Sequence, residues 1–195
     1  MKKTKGLKGL IIFGILCILV IGVYIYLANR EYETPEVDAS EIMTEVQEVL
    51  SRNLNTDYPP TPKELVKYAY EINRAYYNEE HTDDELAALV RQERLLYDEE
   101  LLSYNSEYAQ FEEIKLEIAQ FKEEGYYISD VSISQSLDVE TFMRDGSEWA
   151  KLHAKYTIRK GSVHYITDYT YLLRKDAEGH WKIYGWEVSA DESNE

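Results

Sequence analysis

The chain has 195 residues, 37 of them acidic and 21 basic, with a formal net charge of −16 and one cysteine. That acidic balance repels phosphate backbones and excludes nucleic-acid binding. With Cys17 the sole cysteine, no disulfide can form within the chain and the part beyond Arg30 has no thiol chemistry, so that part must be held by its core alone.

Lys2, Lys3, Lys5 and Lys8 precede an uncharged apolar run, Leu10–Ala28, and Arg30 comes after it. A helix of that length matches the roughly 30 Å hydrocarbon core of a bilayer. The pattern predicts a basic cytoplasmic tail over 1–9 and a transmembrane helix over 10–29. Flanking positive charge stays inside. The chain is therefore expected at the cell membrane as a single-pass protein, N-terminus cytoplasmic and C-terminal domain extracytoplasmic, with the lipid bilayer as its first partner. A cleaved signal is disfavoured because Tyr26 stands where a small residue is wanted. Cys17 reads as a small apolar residue facing lipid, since Leu16 precedes it where a lipid-attachment site needs a small one.

Pro35 and the cluster Pro59, Pro60 and Pro62 divide the chain beyond Arg30. They leave a juxtamembrane linker and helix over 30–60, an α+β domain over 61–189 and a disordered tail over 190–195. Ile42, Val46, Val49, Leu50 and Leu54 recur at helical spacing after Asp38 and Glu41, a cap and its return partner. This helix is either a stalk, which would dimerise through Ile42, Val46 and Val49, or the domain's first helix folded back onto it. Oligomeric state stays open.

Thr61-Pro62-Lys63-Glu64 sets a capping Thr, a first-position Pro and a third-position Glu. Leu65, Ala69, Ile72 and Tyr76 then form one stripe. Thr82-Asp83-Asp84-Glu85 repeats the capping box before Leu86, Leu89, Val90 and Leu96. A turn around Glu99–Tyr104 leads to a helix carrying Phe111, Ile114, Ile118 and Phe121, with Gly125 as its left-handed terminator. Beyond Gly125 the period shortens to two. Strands are predicted over Val131–Val139, Ala150–Ile158, Val163–Leu173 and Trp181–Val188, joined by turns at Arg144-Asp145-Gly146, Lys160-Gly161 and Asp176–Gly179. The expected fold class is α+β: a transmembrane helix, then helices packed on a curved four-stranded antiparallel meander.

The last hairpin, Tyr171–Glu187 (YLLRKDAEGHWKIYGWE), resembles the end of NTF2-like, cone-shaped α+β domains. The chain is also similar over most of Thr61–Glu187 to uncharacterised membrane-anchored proteins of Gram-positive type. That likeness includes Tyr76-Tyr77-Asn78-Glu79-Glu80 and the closing Gly185-Trp186-Glu187. The first resemblance implies a cone between sheet and helices where enzymes of the class keep an Asp or His base among aromatics. The second implies no assigned activity. Fold alone does not give function here.

On the residues themselves, His164 and Asp168 share strand parity and could face a pocket together or sit on a polar rim. They are the candidates for a catalytic base, and Tyr165 and Tyr169 for ligand contacts. His153 alternates with Lys151 and Lys155 and is expected to face water. No pair of histidines has zinc-like spacing, and no phosphate loop or nucleophile elbow occurs, so no metal site or cofactor is expected. The sequence therefore points to a binding or envelope accessory module for a protein partner, a cell-wall fragment or a small apolar ligand. The alternative is a small-molecule isomerase or dehydratase using a pocket His or Asp.

Overall fold

A computed structural model describes residues 43–189. Thr44 caps helix α1 (Glu45–Ser51): its hydroxyl accepts the Gln47 amide, and the Gln47 side chain accepts the Thr44 amide. Asp38 and Ile42 lie outside the described residues. Val46 and Val49 on α1, with Leu54 just beyond, are buried in the common core. α1 packs on α2 (Pro62–Asn78) and α3 (Asp83–Arg94). Two side chains tie it down. The Tyr68 hydroxyl donates to the Val49 carbonyl at 2.8 Å, and Gln92 donates to the Arg52 carbonyl at 2.7 Å.

The two strongest start signals form helices α2 and α3. Thr61 accepts the Glu64 amide at 3.2 Å, with Pro62 at the first helical position, where its missing N–H costs nothing. Thr82 closes a reciprocal box, in which the Glu85 carboxylate accepts the Thr82 amide at 2.8 Å. Thr82→Ala removes the cap and is expected to cost about 1 kcal/mol. The readout is a lower urea midpoint with an unchanged denaturant slope.

Glu99–Tyr104, expected as a turn, forms a short helix, α4, capped by Asp98. Helix α5 (Glu107–Glu123) comes next, and Gly125 ends it at φ 73°, a conformation side chains resist. Only Gln110 and Ile118 of α5 are buried, so this helix lies loosely along the fold.

The strands are β1 (Tyr126–Ile133), β2 (Glu140–Arg144), β3 (Ser147–Lys160), β4 (Val163–Lys175) and β5 (Trp181–Val188). They form one antiparallel sheet in the order β1-β3-β4-β5, with β2 also on β3. The expected four-stranded meander is thus corrected to five strands. The predicted strand Val131–Val139 is broken by a tight turn at Ser136–Asp138, which carries Leu137 out to 95 % exposure. The reason is the length of β3. β1 pairs only with Ala154–Lys160, and the same edge is completed by β2 on Ser147–Lys151. Asp145 and Gly146, both at positive φ, close the β2–β3 hairpin in the twist that favours it.

Alternation along β3 turns Ala150, Leu152, Ala154 and Tyr156 toward the helices, where they join Leu65, Ile72 and Leu89 in the core. Trp149 faces the other way and packs on Phe142 and Tyr184. Between α3 and α4 the backbone docks on the free edge of β5. The Ile183 amide donates to the Leu96 carbonyl at 2.8 Å, and the Asp98 amide donates to the Ile183 carbonyl at 2.9 Å. That short bridge fixes Tyr97 against the sheet.

Among the described residues no helix is long and apolar enough to cross a membrane. The longest, α2 and α5, have 17 residues each and carry charges along their length, short of the roughly 20 apolar residues a span requires. The transmembrane helix expected over 10–29, and the bilayer contact with it, lie outside the described residues. The expected fold class and single-pass localisation are corrected to what the described residues show: an α+β fold with a five-stranded sheet, in which no helix is long and apolar enough to cross a membrane.

Candidate functional site

Helices α2, α3 and α5 and the sheet line a half-open cavity of about 560 Å³. Its wall is aromatic. Tyr77 comes from α2, Phe121 from α5, Tyr126 from β1, Tyr156 from β3, Tyr169 from β4 and Trp186 from β5. The rings brace one another, with centroids 4.9 Å apart for Tyr77–Phe121, 5.5 Å for Phe121–Tyr126 and 5.4 Å for Tyr156–Tyr169. Such tilted and edge-on pairs hold ring faces in fixed orientations.

Three carboxylates line this space: Glu93, Glu117 and Glu124. Glu93, on α3, is the buried one, 5 % exposed. The Tyr76 hydroxyl donates to its Oε2 at 3.1 Å and Gln110 Nε2 donates to the same oxygen at 3.2 Å. The Tyr97 phenol neighbours this carboxyl as well. Gln110 is itself oriented by Arg94, whose Nη1 donates to Gln110 Oε1 at 2.9 Å. Burial pushes the Glu93 carboxyl up to about 7, and the donors around it, Tyr97, Tyr76 and Gln110, offset only part of the rise.

Burial acts on the phenols in the same direction. Tyr76 and Tyr97 are driven well above their ordinary value by desolvation first and by the neighbouring Glu93 charge second. Tyr156 is pushed up to about 12 by burial, and its hydroxyl lies 3.0 Å from that of Tyr171. These hydroxyls stay protonated at neutral pH and act as donors. A carboxyl that holds or releases its proton near neutrality, ringed by fixed donors, suits either proton transfer or pairing with a cation.

The other two carboxylates belong to the more exposed α5 side. Glu117 accepts the Tyr77 hydroxyl at 2.9 Å, and Glu124 lies 3.5 Å from Lys160 Nζ.

His164 and Asp168 do share a face of β4, but it is the face turned away from the cavity. Their cross-strand partners are Arg159 and Lys155. Asp168 sits 3.4 Å from Lys155 Nζ and 3.7 Å from His153 Nδ1, and His164 is exposed. Tyr169 lines the cavity, and Tyr165, on the same strand face, packs on Tyr126 at 5.9 Å. The structure therefore brings together the tyrosines and separates them from the His and Asp. Asp176, Glu178 and His180 place ligand-type atoms within 4.8 Å of one another. The Asp176 carboxylate is engaged there in the β4–β5 turn, accepting the Glu178 and His180 amides at 2.9 and 2.8 Å.

Sequence reasoning missed Glu93. The signal was its position: Leu86, Leu89, Val90, Glu93 and Leu96 fall on one helical stripe, and a carboxylate on an apolar stripe is a buried carboxylate.

No match is found among curated proteins. Residues 1–186 match the family described as Domain of unknown function (DUF6715), and the chain belongs to that family.

Proposed function

We propose that residues 43–189 are an NTF2-like binding domain that takes one small organic molecule into the cavity between helices and sheet. The supporting observation is the aromatic cavity of about 560 Å³ with a desolvated carboxyl on its wall. That volume lies inside the roughly 300–1,000 Å³ usual for small-molecule sites, and a mainly apolar lining with a few convergent polar groups is their usual chemistry. The order of elements, helices first and an antiparallel sheet after, agrees with the cone-shaped class suggested by the Tyr171–Glu187 hairpin.

A second reading has one specific observation in its favour. A carboxyl near 7 is well matched to general acid–base work at neutral pH. In that reading Glu93, not His164 or Asp168, moves the proton, with Tyr97 or Tyr76 as the neighbouring donor.

Fragment screening by NMR on the full chain tests the first reading. Binders are expected to shift the Trp186 indole and the Tyr169 ring together, and shifts confined to the Lys151–Lys155–Asp168 face would contradict it. Glu93→Gln separates the two readings. For a binding module, Glu93→Gln changes affinity by no more than about tenfold. For a proton-transfer enzyme it removes about 100-fold or more of the turnover of whichever bound compound is converted.

A further inference from the structure

We infer that the cavity selects an organic cation, an alkylated ammonium whose charge sits against the rings of Tyr156 and Tyr169 and within reach of Glu93. The inference rests on the small-molecule reading above and names its ligand class.

Charge comes first. Glu93, Glu117 and Glu124 border the cavity, and no lysine, arginine or histidine does, among the described residues. An anionic ligand would meet carboxylates there, the one nearby cation, Lys160 at the rim, being already paired with Glu124. Ring faces come next. Aromatic rings carry negative potential on their faces, and an ammonium close to the centroid is attracted, more so where water is excluded. Third, the chain already holds a cation this way at the edge of the same wall. Lys160 Nζ sits 4.5 Å over the Tyr126 ring and 3.5 Å from the Glu124 carboxylate. The combination of ring face and carboxylate therefore binds an ammonium in this protein.

The lining also favours one kind of cation. A bare calcium or magnesium ion needs about six or more oxygen ligands around it. Here the single buried carboxylate already accepts hydrogen bonds from Tyr76 and Gln110, and much of the rest of the wall is aromatic or aliphatic. A primary ammonium loses strong hydration on entry. An alkylated ammonium carries its charge under a methyl surface and is the form aromatic cages hold.

Glu93 couples such binding to pH. The groups facing it are Tyr76 from α2, Tyr97 from the α3–α4 connection, Gln110 with Arg94 behind it, and Tyr156 and Tyr171 from the sheet. None but Arg94 carries charge at neutral pH. A cation in the cavity favours the ionised carboxylate, so binding releases a proton and tightens as pH rises.

The test is titration calorimetry of the full chain with choline and with its uncharged isostere 3,3-dimethylbutan-1-ol, adding butanoate as the anionic control. Choline is expected to bind at least about tenfold more tightly than the alcohol. Its affinity should rise about three- to tenfold from pH 6 to pH 8, and Glu93→Gln should flatten that rise. Tyr169→Leu should weaken choline at least about fivefold more than it weakens the alcohol, and Tyr169→Phe, which keeps the ring, should preserve the preference for choline. Equal or tighter binding of the alcohol or of butanoate overturns the cation assignment and leaves the small-molecule reading in place. If none of the three binds, the cation assignment is overturned, and the fragment screen decides the small-molecule reading on its own.

Discussion

Arg174→Ala is expected to destabilise the domain by about 2–4 kcal/mol. Asp98 is buried, and both of its carboxylate oxygens are held by the Arg174 guanidinium, Nε to Oδ2 at 2.9 Å and Nη2 to Oδ1. The same carboxylate caps α4 through the Glu100 amide. Removing the arginine leaves a desolvated charge with one amide donor. Breaking a fully buried pair costs about 3–5 kcal/mol, and the partial exposure of Arg174 lets water recover some of that. The effect reaches the cavity, because Asp98 anchors the connection that presents Tyr97. The double variant Asp98→Asn/Arg174→Met is expected to recover more than half of the loss, since it removes both charges and keeps a capping side chain. Urea unfolding of the three proteins at pH 7 measures this. A single variant within about 0.5 kcal/mol of the parent would contradict the role given to the pair.

Glu93→Gln is expected to stabilise the domain at alkaline pH and to be neutral in acid. The native carboxyl keeps its proton up to about 7, whereas the unfolded chain releases it near 4.5. Between those values the unfolded state binds fewer protons, so native stability is full below pH 4.5 and falls as pH rises to about 7. Above that window the parent carries the whole penalty of a buried carboxylate, about 2–4 kcal/mol. Glutamine has no charge to desolvate and retains an oxygen for the Tyr76 and Gln110 donors. Unfolding curves for parent and variant should coincide near pH 4 and separate by that amount at pH 8. A constant difference across the range would show that Glu93 does not titrate there.

Stability and function pull in opposite directions at this residue. An apolar side chain at position 93 would continue the stripe of Leu86, Leu89 and Val90 and would cost the fold less at neutral pH. Local rules are broken where a site needs them broken. The loose seating of α5 fits the same pattern, since a helix fully packed on the sheet would fill the cavity it borders.

Much of the helical layer was legible because its signals are local. The capping residues Thr61 and Thr82, the proline at position 62 and the glycine at 125 mark boundaries through backbone chemistry that tertiary packing does not alter. Alternation along β3 was legible for the same reason. The split of the first strand was not. Ser132–Asp138 alternates well enough for one strand, and only the length of β3 decides that two short partners share its edge. Strand parity placed His164 and Asp168 together but could not say on which face. Both faces of β4 carry aromatic or aliphatic residues: Tyr165 and Tyr169 on one, Ile166 on the other. The face is chosen by pairing with β3, a long-range fact. Glu93 was legible in principle, through its place on an apolar stripe. Its partners Gln110 and Tyr97 were not, because α5 and the connection after α3 meet it only in the folded chain.

Carbon-13 NMR of the side-chain carboxyl of Glu93, tracked from pH 4 to pH 9 and assigned by its loss in Glu93→Gln, reads the protonation of this residue directly. A desolvated carboxyl in this cavity wall is expected to titrate with a midpoint near 7. A midpoint near 4.5, the ordinary glutamate value, would mean that water reaches the carboxylate freely and that the wall around it is open.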